Sequence, residues 1–134
     1  MAEALAGNFV RAEDILDTLV ASVTSDTSIA TAAAGFTITT QEASTYGKLV
    51  MVRLNVTSTN AINLTAAGSG NLPDTTVCTL DAAYRPLRQV SFAFYGTVGG
   101  SGYIQTGGAC RLANADMNIP AGAGLEFGVT LVTT

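Results

Sequence analysis

A strict alternation of side chains in the first half of the chain limits the folds that it can adopt. Within residues 49–56 one set of positions is wholly apolar: Val50, Val52, Leu54 and Val56. The positions between them are mixed: Leu49, Met51, Arg53 and Asn55. A period of two sends successive side chains to opposite faces of a β-strand. Because the mixed set is partly apolar as well, we expect both faces of this strand to contact protein.

The same alternation returns in residues 90–95 and 125–132, with turn signals between the strands. The run 99–102 predicts a hairpin tip, and Gly107-Gly108 predicts a tight two-residue turn. Residues 118–122 predict a further turn, and residues 61–64 a short strand. About eight short strands at regular spacing are typical of an antiparallel β-sandwich or jelly roll, not of a βαβ fold. The sequence therefore predicts an all-β, jelly-roll-like knob.

The N-terminal stretch has a different period. Residues 9–23 predict one short amphipathic helix with Asn8 as its N-cap, since Ile15, Leu16, Leu19, Val20 and Val23 share one face. The prediction is a leader over residues 1–26 and a knob domain over residues 27–134. The apolar face of such a helix needs cover. Its own sheet, symmetry mates and another protein all remain open as partners.

The charge content excludes some partners and favours others. Charged residues make up 12% of the chain, against about 25% in an average soluble protein. A surface of short uncharged side chains suits a subunit that packs against other copies. The net charge is −4 and no basic stripe exists, so nucleic-acid binding is not expected. No apolar run has the length of a membrane span, and no basic N-terminal region suggests a signal peptide, so we expect synthesis in a cytosol and no membrane insertion.

Candidate catalytic and metal-binding groups are scarce. The chain has no histidine, which excludes His-dependent nucleophilic sites and His-ligated zinc. Two cysteines, Cys78 and Cys110, are too few for a four-thiolate zinc site, and we expect them to be reduced and buried. The acids of the second half are more typical of solvated loops than of a glycosidase pair or a calcium site: Asp74, Asp81, Asp116 and Glu126. The sequence predicts no enzyme, no metal and no cofactor.

Three residues of the second half are candidates for a ligand surface. Tyr95, Tyr103 and Arg111 offer stacking area and hydrogen-bond donors for a saccharide or a protein. The alternative is that these side chains serve core and interface packing.

The second half also carries a recognisable order of motifs. Ala82-Ala83-Tyr84-Arg85-Pro86 leads into an aromatic strand, Gly-rich hairpins follow, and Asn118-Ile119-Pro120-Ala121-Gly122 precedes a final alternating strand. This order resembles the trimeric head modules of bacteriophage virion proteins, such as tail-fibre and baseplate receptor-binding tips, head fibres and capsid decoration proteins. The resemblance covers residues 36–134, and residues 9–16 resemble the short leader helices of phage fibre proteins.

The resemblance implies a homotrimeric β-sandwich knob without enzymatic activity on the virion surface, made in the host cytoplasm. It implies attachment to a phage capsid or tail protein through the N-terminal segment, by Phe9, Val10, Ile15, Leu16, Leu19 and Val20. The motif residues would be Tyr84, Arg85, Pro86, Pro120 and Gly122. A tail tip would recognise a host-surface saccharide or protein.

The specific role stays open at this point. The chain has no long shaft, which raises the expectation of a capsid decoration or head fibre to about that of a tail-fibre tip. A bacterial carbohydrate-binding or adhesin module is the alternative. A depolymerase is disfavoured because no credible acid/base pair is present.

Overall fold

The protein is described by a computed structural model over residues 23–66 and 68–134, and this part of the chain is almost entirely antiparallel β-structure. One short 3₁₀ helix, Ala82–Tyr84, interrupts the strands. The strands are β1 (Thr24–Asp26), β2 (Ala30–Ala32), β3 (Phe36–Tyr46), β4 (Leu49–Ser58), β5 (Asn71–Leu80), β6 (Val90–Gly96), β7 (Gly100–Ile104), β8 (Ala109–Ala115) and β9 (Gly124–Val132). The all-β prediction is confirmed. Apart from Val23, the predicted helix and the six predicted anchoring residues lie outside the described residues.

The strands form one continuous sheet instead of the two separate sheets of the expected sandwich. Their order is β1-β3-β4-β9-β6-β7-β8-β5-β2. The last strand, β9, accounts for the difference because it pairs with β4 on one side and with β6 on the other. It thereby joins the N-terminal and C-terminal halves of the sheet by hydrogen bonds.

The sheet curls until its two ends meet. Residues 24–32 supply both edges, since β1 pairs with β3 at one end and β2 pairs with β5 at the other. The side chain of Gln41 on β3 connects them. Its Oε1 accepts hydrogen bonds from the backbone N–H groups of Ile29 (2.7 Å) and Ala30 (2.8 Å). Short edge strands that are tied down in this way leave little unpaired backbone for uncontrolled strand addition.

The inner face of the curled sheet holds the hydrophobic core. On β4 the apolar set Val50, Val52, Leu54 and Val56 is buried, as the alternation predicts. In the middle of the sheet the rings of Phe92 and Phe127 stack, with centroids 4.2 Å apart and an interplanar angle of 16°. Burial of these side chains is the main favourable term in folding.

Glycines of β7 lie beneath aromatic rings, which differs from the predicted hairpin tip at 99–102. Gly100 and Gly102 are strand residues, paired with Phe94 and Phe92 of β6. A Cβ at Gly102 would come within 2.6 Å of the Phe92 ring and 2.2 Å of a backbone carbonyl oxygen. The absence of a side chain is therefore a packing requirement, which local turn statistics do not report.

Two other local expectations need correction. The turn after β7 has Thr106 and Gly107 at its centre, with a hydrogen bond from Gly108 N to Gln105 O of 2.8 Å. Gly108 follows with a φ of 92°, so the loop is one residue longer than the predicted Gly107-Gly108 turn, and the positive φ sits after the turn. The short strand predicted at residues 61–64 is a single bridge between Ile62 and Ile119.

Candidate functional site

A shallow groove lies on the outer face of strands β3, β4, β9 and β6. The register of the sheet aligns Glu42, Arg53 and Gly128 across three neighbouring strands. Gly128 has no side chain, so the floor between the flanking strands is open. The groove has a volume of about 380 Å³ and is lined by Glu42, Ser44, Met51, Val52, Arg53, Tyr95, Gly128, Val129 and Thr130.

An ion-pair cluster occupies one wall of this groove. Arg53 Nε donates to Glu126 Oε1 at 2.7 Å, and Arg53 Nη2 lies 2.5 Å from the same oxygen. Glu42 Oε1 lies 3.7 Å from Arg53 Nη1. The hydrogen bond to Glu126 is the main reason why the pKa of Arg53 is raised above its usual value. Both carboxylates thus flank a permanently charged guanidinium, and the cluster carries one net negative charge.

Tyr95 lines the groove beside the ion-pair cluster. It lies on β6, directly across from Glu126 on β9, and 58% of its surface is exposed. An exposed tyrosine ring beside carboxylates and a guanidinium can stack on an apolar sugar face while the charged groups bind hydroxyls. The groove therefore offers an aromatic ring and charged groups for contacts with a ligand.

The other two candidate ligand residues lie elsewhere on the same face. Tyr103 of β7 and Arg111 of β8 are cross-strand partners and both are half-buried. Tyr103 also pairs with Ser91, which is four residues from Tyr95 along β6. At about 3.3 Å per residue the two places are about 13 Å apart along the strand. The structure therefore brings Tyr103 and Arg111 together but leaves Tyr95 in a separate location.

Arg111 has an unusual environment for a ligand-binding side chain. Its Nε atom is buried and has no hydrogen-bond partner among the described residues. Thr76 on the adjacent strand β5 is its other cross-strand neighbour. This position agrees better with the packing alternative than with a free ligand-binding group.

The Tyr84-Arg85-Pro86 motif holds elements of the fold together. The Tyr84 hydroxyl donates to Asp26 Oδ2 at 2.5 Å, which connects the 3₁₀ helix to the edge strand β1. Arg85 Nε donates to Leu80 O at 3.1 Å. Pro86 is fully buried and forms an isolated bridge with Thr133. These contacts span both ends of the sheet and the final strand, so the motif has a structural role in this fold.

The Tyr84–Asp26 hydrogen bond shifts both ionisations. It is the largest cause of the rise in the pKa of Tyr84 to about 12. It is also the largest cause of the lowered pKa of Asp26, to which the Ser28 N–H contributes as a second donor. The favoured state pairs a neutral phenol with an ionised carboxylate, as expected when the hydrogen bond is made to the charged acceptor.

The Pro120–Gly122 motif forms a turn that closes on the end of β4. Ala123 N donates to Pro120 O at 3.1 Å, and Gly122 has a φ of 82°. The turn is fixed to Ser58, whose carbonyl accepts from Gly122 N at 2.7 Å and whose N–H donates to Ala123 O at 2.9 Å. This motif is structural as well.

The two cysteines face each other in the interior. Cys78 and Cys110 are cross-strand partners on β5 and β8, and both are fully buried as free thiols. A hydrogen bond with Cys78, together with burial, raises the pKa of the Cys110 thiol. Protonated thiols in a dry interior are poor nucleophiles, so this pair does not form a reactive site.

The acidic residues of the described part of the chain form no metal-binding cluster. Within residues 23–66 and 68–134, no three carboxylate or thiol side chains approach one another closely enough to hold a metal ion. Over the same residues, no helix has the length and apolar character that crossing a membrane requires.

Sequence reasoning identified Tyr95 but missed most of the groove. Glu42, Arg53 and Gly128 lie on separate strands, and only the pairing of β4 with β3 and β9 aligns them. The available signal was Arg53 among the mixed outward positions of residues 49–56. No protein-family model matches the chain, and the search of curated proteins finds no match to it.

Proposed function

We propose that this chain is a non-enzymatic bacteriophage virion surface protein, a small homotrimeric β-knob attached to the particle through its N-terminal segment. It acts as a capsid decoration or head fibre, or as a tail-fibre or receptor-binding tip, with near-equal support. The resemblance of its motif order supports this assignment.

The low charge of six neighbouring strands of the sheet is the observation that carries the proposal. Strands β3, β4, β6, β7, β8 and β9 contain two acidic and two basic residues: Glu42, Glu126, Arg53 and Arg111. Most other outward positions are Thr, Ser, Ala and Gly. Because these six strands carry no net charge, copies can approach one another closely without the repulsion that keeps monomers apart.

The position of the leader supports attachment at one end of the knob. The chain enters the sheet at the edge strand β1, through Thr24. The peptide link to the preceding residues therefore lies at the periphery of the body, away from the core. Three copies per knob and many knobs per particle convert weak single contacts into strong attachment by avidity.

The first test is the mass of the purified full-length chain, measured by light scattering coupled to size exclusion. We expect a mass close to three chains. A monomer over the whole accessible concentration range contradicts the proposal. Antibody labelling of particles in the electron microscope then separates the two roles, since a decoration labels the capsid and a receptor-binding tip labels the tail.

The groove favours a second candidate, a carbohydrate-binding or adhesin module of bacterial origin. Tyr95 is exposed beside the Arg53 ion-pair cluster, which is a suitable arrangement for a saccharide. Screening the full-length chain against a glycan array tests this function. Binding that Tyr95→Ala abolishes and Met117→Ala leaves intact, from a monomeric protein, favours the module over the virion knob.

A further inference from the structure

One end of the outer face carries a line of exposed apolar side chains, which we call the apolar row: Tyr46, Leu49, Val132 and Leu87. Register aligns the first three across β3, β4 and β9, since Leu49 pairs with both Tyr46 and Val132. Leu87 extends the row, because its N–H donates to Val132 O at 2.7 Å. Each of these side chains is between 44% and 54% exposed. Small soluble domains seldom leave such a contiguous surface uncovered.

The row continues into a groove and onto the next outward position of β4. A depression of about 400 Å³ lies beside it, lined by Leu49, Leu87, Arg88, Val90, Thr130, Leu131 and Val132. Met51, two residues from Leu49 on the same face, is 59% exposed. The apolar surface therefore extends across the three strands β3, β4 and β9, and along β4 it covers the two outward positions Leu49 and Met51.

The N-terminal segment joins the body at the same end. Thr24 pairs with Thr45, so the chain reaches the sheet next to Tyr46, the first residue of the row. Val23, just before β1, is itself apolar and 42% exposed. Strands lie about 4.8 Å apart, which places β9 about 14 Å from β1. A 14-residue segment is about 21 Å long even as a helix, so residues 9–22 can reach across the row.

The composition of the segment matches the surface. Its apolar residues Ile15, Leu16, Leu19 and Val20 fall on one helical face, and they need cover of their own. Its charged residues are Arg11, Glu13, Asp14 and Asp17, which give the segment a net charge of −2. The charged residues beside the row are basic: Lys48 in the turn between β3 and β4, and Arg88 in the groove wall. The negative charge of the segment and the positive charge of Lys48 and Arg88 attract each other. This attraction favours docking of the segment on the row over docking of an electrically neutral partner.

We propose that residues 9–22 of each chain dock on the apolar row of the same chain, with the apolar face of the segment against Leu49, Val132 and Leu87. This inference concerns the free protein: attachment to a particle through the same apolar residues would require the segment to leave the row.

Two methionines provide a matched probe of the docking. Met51 and Met117 are each 59% exposed on the body, but only Met51 lies beside the row. Peroxide oxidation of a methionine thioether depends on its access to solvent. We expect Met51 in the full-length protein to oxidise several-fold more slowly than Met117, measured by peptide mass spectrometry during a short peroxide exposure.

The decisive variant carries Leu16→Asp and Leu19→Asp. It should raise the oxidation rate of Met51 to that of Met117 without changing the rate at Met117, the mass in light scattering or the β-sheet signal in circular dichroism. Because both substitutions lie outside the sheet, the variant tests docking without altering the core.

Three results overturn the proposal. Equal oxidation of the two methionines in the unmodified protein means that the row is uncovered. Protection of Met51 that survives in the variant means that another surface, such as a second copy, covers it. Protection that disappears together with a fall in mass means that assembly, and not docking within one chain, provides the cover.

Discussion

The two faces of strand β4 differ in what they contribute to this protein. Its inward residues Val50, Val52, Leu54 and Val56 are buried in the core. Its outward residues Leu49 and Met51 are equally apolar but about half exposed, and Arg53 beside them forms ion pairs with Glu42 and Glu126. The inward face of β4 therefore supplies the apolar burial that stabilises the fold.

The comparison separates residues kept for stability from residues available for contact. An apolar side chain that remains in water contributes little to the free energy of folding, since burial is the source of the gain. Leu49 and Met51 are therefore poorly explained by the fold of the described residues alone. Their placement at the end of the sheet where the leader enters is the basis for assigning them to an interface.

Among the substitutions considered, Val52→Asp should cause the largest loss of stability. Val52 is 3% exposed, and an unpaired carboxylate there would lose its hydration without gaining a partner. We expect a loss of about 3–5 kcal/mol in the free energy of unfolding, or no folded protein at all. Urea titration followed by circular dichroism measures the loss.

Thr37→Asp is the matched control on the exposed face of the neighbouring strand β3. Its side chain points outward, so a carboxylate there should cost less than about 1 kcal/mol. Similar stability losses in both variants would contradict the assignment of the two faces.

Gly102→Ala should have an intermediate effect. The added methyl group would come within 2.2 Å of the Arg111 carbonyl oxygen and 2.6 Å of the Phe92 ring. We expect a loss of about 1–3 kcal/mol from forced overpacking, measured by thermal unfolding. Gly124→Ala is the control, because no atom lies within 4 Å of the added carbon. Unchanged stability of Gly102→Ala would mean that Phe92 and the β7–β8 ladder can move apart freely.

Tyr84→Phe should have a smaller effect, because the hydrogen bond to Asp26 lies at the edge of the sheet and in partial contact with water. We expect a loss of less than about 1 kcal/mol at neutral pH. Thermal unfolding of the variant and the unmodified protein in parallel measures it. A loss as large as that of Gly102→Ala would show that β1 is essential to the whole sheet.

The same hydrogen bond predicts a pH dependence with two limits. The folded state raises the pKa of Tyr84 from 10.0 to about 12, so its contribution is complete below pH 10 and is lost as the pH rises through about 12. The pKa of Asp26 is lowered from 3.8, so its contribution is present above pH 3.8 and is lost as the pH falls through the lowered value. The stability difference between the protein and Tyr84→Phe should therefore shrink at both extremes. A difference that stays constant across both ranges would contradict the hydrogen bond.

Local patterns in the sequence predicted much of the secondary structure. The strand at residues 49–56, its inward face and the strand at residues 90–95 are all found, because a period of two depends only on which side chains face the core. The turn at 118–122 is found as well. Gly100 and Gly102 were misplaced in a hairpin tip because their real constraint, the rings of Phe94 and Phe92, lies on another strand.

The sequence on its own determined the all-β class, the inward face of β4 and the absence of histidine-based chemistry, because composition and alternation are local properties. Only the tertiary structure decided that β9 pairs with both β4 and β6, that Gln41 joins the two ends of the sheet, and that Tyr95 lies across from Glu126. Strand pairing is a choice among many partners of similar hydrophobic pattern. The choice depends on how the whole chain buries its apolar faces together, so no single segment of the sequence contains it.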